Sequence, residues 1–317
     1  MLKYRGGKSK EIPRIMSHIP RFQGRYIEPF VGGGALFFYL EPKKAIINDI
    51  NTKLINFYLG VRDNYPSLRT ELNCIEETYS QNRRDFELLK SQTPNERVID
   101  KNEDLYYHLR AQFNRTETPN YSDAALYFFI NKAAYSGMIR YNSQGEFNVP
   151  YGRYAHLNTN IVTLEHCELL KRTDVFCSDY SAIFNMATEN DFMFIDPPYD
   201  CTFSDYGNEK YKDGFNEEEH LRLAEAFYKL PCKALMIIGL TPLIENLYCN
   251  DIVDIYEKTY AVNIRNRFKA EARHAVVMNY RKDINTETSD KTFYYSQAET
   301  AQLRLFEPTP NKYGTDK

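Results

Sequence analysis

The stretch Arg25-Tyr26-Ile27-Glu28-Pro29-Phe30 runs through Val31 into Gly32-Gly33-Gly34, and this junction decides the fold. The first six residues are typical of a strand, and a helix is expected to start at Gly34 and run to Leu40. A second apolar run, Lys44-Ala45-Ile46-Ile47-Asn48-Asp49, predicts the next strand. A strand, a glycine loop, a helix and a strand form the opening unit of an α/β sheet.

Short apolar strands return late in the chain and are separated by helical stretches. They are Asp174 to Cys177, Asp191 to Ile195, Lys233 to Gly239 and His274 to Tyr280. One intervening helix is well marked, because Asn216 is placed as its N-cap with Glu219 three residues on. Leu221, Ala224 and Tyr228 share one face of that helix. The alternation predicts a parallel, doubly wound sheet.

The middle of the chain, residues 60–160, differs from both ends. It is polar, rich in Tyr, Arg and Asn, and mostly helical in pattern until a turn at Asn142-Ser143-Gln144-Gly145. We therefore predict an α/β domain formed by residues 1–59 and 161–281, with residues 60–160 inserted as a second domain. Residues 282–317 lose the pattern and are expected to form a flexible tail.

The composition of the 317 residues predicts a folded protein, since 43% of them are hydrophobic. No apolar run reaches the roughly 20 residues that span a bilayer. The start of the chain lacks the apolar segment of a secretory signal, so a cytoplasmic location without a membrane partner is expected. Six cysteines show no C-x-x-C pair, which favours reduced thiols and no bound metal. The net charge of −3 means that any contact with a nucleic acid must be local.

The glycine triplet follows a strand and precedes a helix, where glycine allows the backbone to approach a ligand closely. Its spacing is neither G-x-G-x-x-G nor that of a phosphate loop, so the triplet alone favours a simple tight turn over a cofactor loop. Asp49 ends the second strand, where a carboxylate can accept hydrogen bonds from both ribose hydroxyls. Its alternative role is to cap the helix from Asn51 onward. Together the two features favour a nucleoside cofactor.

A second motif, Asp196-Pro197-Pro198-Tyr199, follows the buried run Phe192 to Ile195. The two prolines fix φ, so a rigid corner is expected at the carboxyl edge of the sheet, where α/β proteins bind ligands. Methylation of an adenine N6 amine needs acceptors for its N–H bonds, and Asp196 and the Pro197 carbonyl can supply them. Tyr199 can stack on an extruded base. The alternative interpretation is a proline-stiffened turn with a buried tyrosine.

Pro231-Cys232 raises a competing hypothesis, because cytosine C5 methyltransferases attack their base with a cysteine that follows a proline. Nothing near Cys232 resembles the rest of that active-site loop, and the residue introduces another apolar strand. Core packing is the better interpretation of this cysteine.

Four motifs together resemble the Dam-type, alpha-group family of DNA adenine-N6 methyltransferases. They are Lys3-Tyr4-Arg5-Gly6-Gly7-Lys8, Tyr26 to Gly34, Asn48-Asp49-Ile50-Asn51 and Asp196 to Tyr199. Their order is that of the alpha group, and the resemblance spans most of residues 1–280. It implies a Rossmann-like methyltransferase sheet carrying the catalytic residues, with a mainly helical target-recognition domain at 60–160 that carries a β-hairpin.

The resemblance also implies the cofactor, S-adenosylmethionine, and its contacts. The cofactor-binding residues are then Tyr4, Lys8, Phe30, Gly32, Gly33, Gly34, Asp49, Asp179, Tyr180 and Asp196. The catalytic residues are Asp196, Pro197, Pro198 and Tyr199.

Residues 131–153, which we call the hairpin segment, resemble the family's recognition hairpin and are expected to face double-stranded DNA. By that resemblance Tyr135 wedges into the base stack, Arg140 reads a guanine edge and Lys3 reaches another base. The expected DNA-binding residues are Lys3, Lys132, Tyr135, Ser136, Met138, Arg140, Asn148 and Arg153. Ser136 and Arg5 depart from the pattern of many family members, yet GATC remains the leading target.

Several alternatives stay open at this stage. The same catalytic corner serves RNA and protein amide methyltransferases, and a DNA-binding protein with a relic catalytic fold is a further possibility. A basic stretch, Arg265, Arg267, Lys269 and Arg273, is explained equally well by phosphate contacts or by a solvated loop. A monomer or weak dimer, bacterial or phage-like, that works with a restriction endonuclease is also compatible with the sequence.

Overall fold

The computed structural model describes residues 1–4, 6–198, 215–259 and 271–281, and these form one seven-stranded sheet flanked by helices. The strands are β1 Tyr26–Glu28, β2 Ala45–Asn48, β3 Thr173–Phe176, β4 Phe192–Ile195, β5 Lys233–Gly239, β6 Ile252–Thr259 and β7 Glu271–Met278. The predicted strands are therefore confirmed, with ends that differ by at most three residues. Tyr199, the basic residues 265–269 and the predicted tail lie outside the described residues.

The strand order is β3-β2-β1-β4-β5-β7-β6. The first five strands are parallel, but β7 runs antiparallel to both β5 and β6. The prediction of a wholly parallel sheet was therefore wrong at this edge. Only residues 260–270 separate β6 from β7, which leaves no room for the crossover helix that a parallel pair requires. The edge strand β6 was not predicted from the sequence, and its Val253 and Ile255 are exposed.

Helices cover both faces of the sheet. They are α1 Ile12–Met16, α2 Ala35–Leu40, α3 Thr52–Asp63, α4 Tyr65–Gln92, α5 Lys101–Phe113, α6 Asp123–Ala133, α7 Leu164–Lys171, α8 Tyr180–Phe184, α9 Glu217–Tyr228 and α10 Pro242–Leu247. A short 3-10 turn, Tyr135–Gly137, follows α6. No described helix is long and apolar enough to cross a membrane.

The core has two parts because side chains alternate along each buried strand. In β4, Phe192 and Phe194 face the part that contains α2 to α7, while Met193 and Ile195 face the part that contains α8 to α10. All four side chains are buried, as expected for the central strands of a sheet covered on both faces.

The helices of residues 60–160 pack on α3 and on one another. Leu72 of α4, Tyr106 of α5 and Phe128 of α6 are buried in the same cluster as Phe192 of β4. Burial of these side chains joins the inserted segment to the α/β core in one continuous apolar cluster. The division into catalytic and recognition domains remains a prediction.

Helix α9 begins as the sequence indicates and buries a different set of side chains. Asn216 accepts a hydrogen bond from the backbone N–H of Glu219 at 3.0 Å, which confirms the N-cap. The buried residues are His220, Leu223, Ala224 and Phe227. Leu221 and Tyr228 are instead 44% and 52% exposed, so the face expected to be apolar is rotated relative to the core.

Candidate active site

A cleft opens at the carboxyl edge of the sheet, where β1, β2, β3 and β4 end. Its enclosed volume is about 80 Å³, and the space widens to about 840 Å³ when the open mouth is included. The strand order reverses between β1 and β4, so the cleft lies at the position where open α/β sheets bind ligands. The predicted residues that line it are Tyr4, Lys8, Phe30, Gly32, Gly33, Gly34, Asp49, Tyr180, Asp196, Pro197 and Pro198.

The glycine loop after β1 is shaped by Tyr4. Gly32 and Gly34 have φ values of +46° and +63°, the left-handed region that favours glycine. A Cβ atom on Gly32 would lie 2.8 Å from the Tyr4 ring, and one on Gly33 would lie 2.8 Å from the Tyr4 Cβ. The loop therefore needs glycine because the N-terminal segment packs against it. Tyr58 adds support by donating to the Gly32 carbonyl at 2.6 Å.

Asp49 joins the glycine loop to the end of β2. One of its oxygens accepts from the backbone N–H of Gly32 at 3.0 Å, and the other accepts from the N–H of Asn51 at 2.9 Å. Burial raises the pKa of Asp49 to about 6, although these backbone hydrogen bonds oppose the rise. The side-chain cap of α3 is Asn51, which accepts from Lys53 and Leu54. Asp49 is therefore a buried carboxylate that lines the cleft and does not cap α3.

Three further polar residues, Asn48, Ser178 and Glu28, line the cleft and were missed as site residues from the sequence. Asn48 donates to the carbonyls of Pro29 and Ser178 and accepts from the Ser178 backbone at 2.9 Å, which ties three strand ends together. Glu28 accepts from the Tyr26 hydroxyl at 2.7 Å, and burial raises its pKa well above the ordinary value. A glutamate inside an apolar strand was the available signal for Glu28.

Asp196 lies at the end of β4 and is held by Lys8. The Lys8 ammonium donates to both carboxylate oxygens, at 2.6 and 2.7 Å, and also to the Gly6 carbonyl at 3.1 Å. The Lys8 side chain is 3% exposed, whereas that of Asp196 is 22% exposed. The cation is therefore enclosed, and the carboxylate keeps one open side toward the cleft that Pro197 and Pro198 also line.

Asp179 and Tyr180 follow β3 and have different surroundings. Asp179 caps α8 through the Ser181 N–H and forms an ion pair with Arg222, interactions that lower its pKa against the effect of burial. It is not among the residues that line the cleft, whereas Tyr180 is. The Tyr180 ring packs against Phe30 with centroids 5.1 Å apart, so these two rings form an aromatic wall.

The hairpin segment contains the expected antiparallel pairs, Tyr141 with Phe147 and Ala134 with Tyr151. The predicted turn is confirmed by the hydrogen bond from the Gly145 N–H to the Asn142 carbonyl, at 3.0 Å. Beyond it, the Arg140 guanidinium donates to the Asn148 side chain at 2.8 Å. Arg140 is exposed, so the contact orients its guanidinium at the surface.

The 3-10 turn brings other predicted DNA-binding residues beside the N-terminal segment. Tyr135 is 52% exposed, and Ser136 has a φ of +54°. A Cβ on Gly137 would lie 2.9 Å from the Lys3 side chain, so glycine lets Lys3 pack there. The Lys3 ammonium donates to the Lys132 carbonyl at 3.0 Å and lies 3.7 Å from the centroid of the Tyr154 ring.

The remaining predicted DNA-binding residues differ from one another in burial and in their contacts. Burial and the charge of Lys3 lower the pKa of Lys132 to about 8. Met138 is half-buried. Arg153 has a φ of +53° and forms an ion pair with Glu103 of α5, so part of its charge is neutralised by a residue outside the hairpin segment. The structure therefore brings Lys3, Tyr135 and Ser136 together at the turn and places Arg153 on a separate ion pair.

The competing cysteine hypothesis receives no support from the fold. Cys232 is 3% exposed, and burial raises the pKa of its thiol to about 11, so the reactive thiolate is disfavoured at neutral pH. It packs in the same cluster as Phe227. Within the described parts of the chain, no group of three or more His, Cys, Asp or Glu is placed to hold a metal ion.

Five parallel strands, with antiparallel β7 lying between β5 and the edge strand β6, form a mixed sheet that is consistent with the Rossmann-like methyltransferases. The fold and its cleft place the protein in that class. More narrowly, the chain belongs to the family of D12 class N6 adenine-specific DNA methyltransferases, whose profile matches residues 4–264. It is therefore a DNA adenine methyltransferase, and the alternative of an RNA or protein substrate is not favoured.

Several named relatives agree with this assignment. Type II methyltransferase M.CviBI of Paramecium bursaria Chlorella virus NC1A is 31% identical over 88% of this chain and 99% of its own length. Type II methyltransferase M.MjaIII of Methanocaldococcus jannaschii is 33% identical over 82% of this chain and 86% of its own. The DNA adenine methylase of Salmonella typhi is 33% identical over 62% of this chain and 64% of its own.

Proposed function

We propose that this protein transfers a methyl group from S-adenosylmethionine to N6 of an adenine within a short, specific site in duplex DNA. GATC is the leading candidate for that site, on the resemblance of the hairpin segment and of Lys3 to Dam-type enzymes. One observation carries the proposal. The carboxylate of Asp196, held by a buried lysine, shares a single cleft with the glycine loop and Asp49.

The residues of the cleft fit an adenosyl cofactor. Asp49 uses one lone pair of each oxygen on backbone N–H groups and keeps others that can accept from ribose hydroxyls. Phe30 and Tyr180 offer an aromatic wall for a purine, and Ser178 lies beside them. Asp179 is proposed to act here through the α8 cap that it forms, since its carboxylate is engaged with Arg222.

At the other end of the cleft, Tyr4, Lys8 and the glycine loop would hold the methionine portion of the cofactor. When bound, S-adenosylmethionine supplies an electrophilic methyl group. Lys8 fixes both oxygens of Asp196 and so holds the plane of the carboxylate. Positioning of this kind lowers the barrier because the acceptor need not be ordered during the reaction.

Asp196 is proposed to accept a hydrogen bond from the N6 amine of the target adenine. The amine lone pair is delocalised into the purine ring, and hydrogen bonds from its N–H groups to Asp196 and the Pro197 carbonyl favour a pyramidal nitrogen with a localised lone pair. The adenine must leave the base stack to reach the cleft. Tyr199 is proposed to stack on the extruded base, and the prolines would fix the corner that presents these groups.

DNA recognition is proposed to involve the hairpin segment and the adjacent N-terminal residues. Tyr135 is exposed on a tight turn, where an aromatic side chain can enter the base stack. Arg140 is exposed and oriented by Asn148, which suits contact with a guanine edge. Lys3, Lys132, Ser136, Met138 and Arg153 would complete this surface. The recognition role of residues 60–160 rests on these contacts.

The cellular setting is proposed from the relatives' names. Two of the relatives above are named Type II methyltransferases, which supports a pairing with a restriction endonuclease, whereas another is named a DNA adenine methylase. A monomer or weak dimer working on DNA in the cytoplasm of a bacterial or phage-infected cell is consistent with both kinds of name.

A labelled-methyl assay tests the proposal. The purified chain is incubated with S-adenosylmethionine and matched duplexes that contain GATC or a permuted site, and N6-methyladenine is measured by mass spectrometry. We expect product only on the GATC duplex. The Asp196→Ala variant should form no product. Methylation at a different site would reject GATC alone, and methylation by Asp196→Ala at the parent rate would reject the proposed chemistry.

A further inference from the structure

A second group of polar side chains lies next to Lys8 but does not line the cleft. It consists of Glu11 before α1, Tyr256 in β6 and His274 in β7. His274 is fully buried, and Glu11 is 9% exposed. We call these three residues the Glu11 cluster. Buried polar groups are retained when their hydrogen bonds are satisfied, so the internal contacts of the cluster indicate what it does.

The hydrogens in the Glu11 cluster can be assigned from its contacts. The Tyr256 hydroxyl contacts Glu11 Oε2, and burial together with Glu11 raises the pKa of Tyr256 well above its ordinary value, so the phenol keeps its proton and donates. His274 Nδ1 lies 3.4 Å from Glu11 Oε2 and 3.4 Å from the Tyr256 oxygen. The Glu11 carboxylate has no hydrogen to donate, and the Tyr256 hydrogen is directed at Glu11. Both oxygens near His274 are therefore acceptors, so Nδ1 carries the ring hydrogen. Glu11 is therefore held from two strands.

Glu11 also determines the position of Lys8 through the backbone. The N–H groups of Glu11 and Ile12 both donate to the Lys8 carbonyl, at 2.7 and 3.1 Å. The Glu11 carbonyl accepts from Ile15 in α1, so a single turn connects Lys8 to the helix. The Lys8 ammonium, at the other end of this residue, donates a hydrogen bond to Asp196. A movement of Glu11 would shift that ammonium.

The antiparallel edge of the sheet brings the Glu11 cluster to the catalytic edge. His274 pairs with Gly239, the last residue of β5, and with Tyr256 across to β6. The parallel strands β4 and β5 end at this same edge, where Asp196 follows β4. A strand that ran parallel to β5 would begin its course at the opposite edge, so this arrangement depends on the reversed direction of β7.

We propose that Glu11, Tyr256 and His274 are positioning residues for methyl transfer, which fix the first turn of α1 and thereby hold the Lys8 ammonium on Asp196. This inference rests on the proposed catalytic role of Asp196. The three residues act through Lys8 and do not contact the substrate. The β6–β7 pair thus contributes to the catalytic geometry from behind the cleft.

Other charged groups surround the cluster and define how pH acts on it. The Arg14 guanidinium lies 4.7 Å from the centroid of the Tyr256 ring and pairs with Asp254 at 2.9 Å. His18 lies 3.8 Å from Asp254, and the negative charge of Asp196 contributes to the raised pKa of Tyr256. Arg14 therefore supplies positive charge next to the Tyr256 ring, and its ion pair with Asp254 offsets part of that charge.

The first test measures the enclosure of Lys8 without using activity. In the parent, a limiting pulse of acetic anhydride should modify Lys8 slowly, because its ammonium is buried and paired, while exposed Lys171 reacts quickly. Tyr256→Phe removes only the hydroxyl that donates to Glu11, and we expect on the order of tenfold faster acetylation of Lys8 with no change at Lys171. Peptide mass spectrometry gives both rates in one sample.

A matched control removes a different buried hydroxyl. Within the described part of the chain, the Tyr248 hydroxyl has no hydrogen-bond partner, and the residue packs in the other core cluster. Tyr248→Phe should therefore leave Lys8 acetylation at the parent rate. Glu11→Ala should expose Lys8 more than Glu11→Gln does, because the amide oxygen of glutamine can still accept from Tyr256.

The second test measures turnover. Tyr256→Phe should lower kcat by on the order of tenfold, leave KM for DNA unchanged and shift the acid limb of the rate–pH profile to higher pH, since a carboxylate without a cationic neighbour protonates more readily. Parent Lys8 reactivity in both Tyr256→Phe and Glu11→Ala would overturn the inference, whether or not the chain methylates DNA. An inactive parent with a protected Lys8 would instead refute the proposed function alone.

Discussion

Lys8 and Asp196 place opposite charges in contact where one partner is almost fully enclosed. Removal of one member of such a pair leaves an uncompensated charge with little water around it, which costs more than the pair itself contributes. Asp49, in contrast, is buried and accepts hydrogen bonds from backbone N–H groups. No cation contributes to the shift of its pKa. The two acids of the cleft are therefore stabilised in different ways, and they should respond differently to pH.

The raised pKa of Asp49 gives a prediction for stability. Its pKa is about 6 in the folded chain, and the ordinary value of 3.8 applies to the unfolded chain. Between pH 3.8 and pH 6 the folded state therefore binds more protons than the unfolded state. The free energy of unfolding should then fall as pH rises through this window, by about 3 kcal/mol. Urea unfolding between pH 4 and pH 7 measures it, and Asp49→Asn should remove this component of the slope.

The same group should control cofactor affinity. An ionised Asp49 accepts hydrogen bonds better than a neutral one, so S-adenosylhomocysteine should bind with constant affinity above pH 6 and lose about tenfold per unit below it. Calorimetric titrations from pH 5 to pH 8 give the profile. An Asp49→Asn variant that retained the full pH dependence would show that a different group is responsible.

Arg140 should contribute to site recognition without contributing to the core. It is exposed and contacts Asn148, so Arg140→Ala should weaken binding to the specific duplex by about 1–3 kcal/mol and leave the melting temperature unchanged. Exposed Arg84 on α4 is the matched control, since Arg84→Ala removes an equal charge far along the chain. Equal losses for the two variants in competition binding would indicate only a general charge effect.

At the scale of the elements, the packing of the N-terminal segment constrains the glycine loop. Gly32 has a positive φ and also abuts the Tyr4 ring, whereas Gly6 has a φ of +80° and open space, with no atom within 4 Å of where a Cβ would lie. The two glycines therefore separate backbone strain from steric contact. Backbone strain and steric contact both restrict Gly32, whereas only backbone strain restricts Gly6.

Substitution by alanine tests this separation. Gly6→Ala should cost about 1 kcal/mol of stability, the penalty of a left-handed backbone for an L residue. Gly32→Ala should cost more and should also weaken S-adenosylhomocysteine binding, because the new methyl group displaces Tyr4 from the loop. The double variant Gly32→Ala, Tyr4→Ala should recover stability relative to the sum of the single changes. Additive losses in urea unfolding would mean that Tyr4 and Gly32 do not interact.

At the scale of the whole molecule, the shared core predicts cooperative unfolding. Leu72, Tyr106 and Phe128 of the inserted helices are buried in the same apolar cluster as Phe192 of the sheet, so loss of these helices would expose part of a shared core. We expect the helical signal in far-UV circular dichroism and the tyrosine signal in near-UV circular dichroism to change together in urea. Two separate transitions would show that residues 60–160 fold as an independent unit.

The sequence by itself determined the elements that depend on local chemistry. The apolar runs at β1, β2 and β4, the Asn216 cap and the turn at residues 142–145 were predicted because each is defined by residues close together in the chain. The glycine loop and the Asp196 corner were found for the same reason. Their motifs also gave the resemblance that led to the family.

Tertiary structure alone decided which distant residues meet. The direction of β7, the exposure of Leu221 on α9 and the pairing of Lys8 with Asp196 depend on contacts between parts of the chain far apart in sequence. No periodicity of 2 or 3.6 residues encodes such contacts, because they are selected by the free energy of burying the whole core. The sequence provided Asp196 as the proposed catalytic carboxylate, and the fold brought the enclosed Lys8 into contact with it.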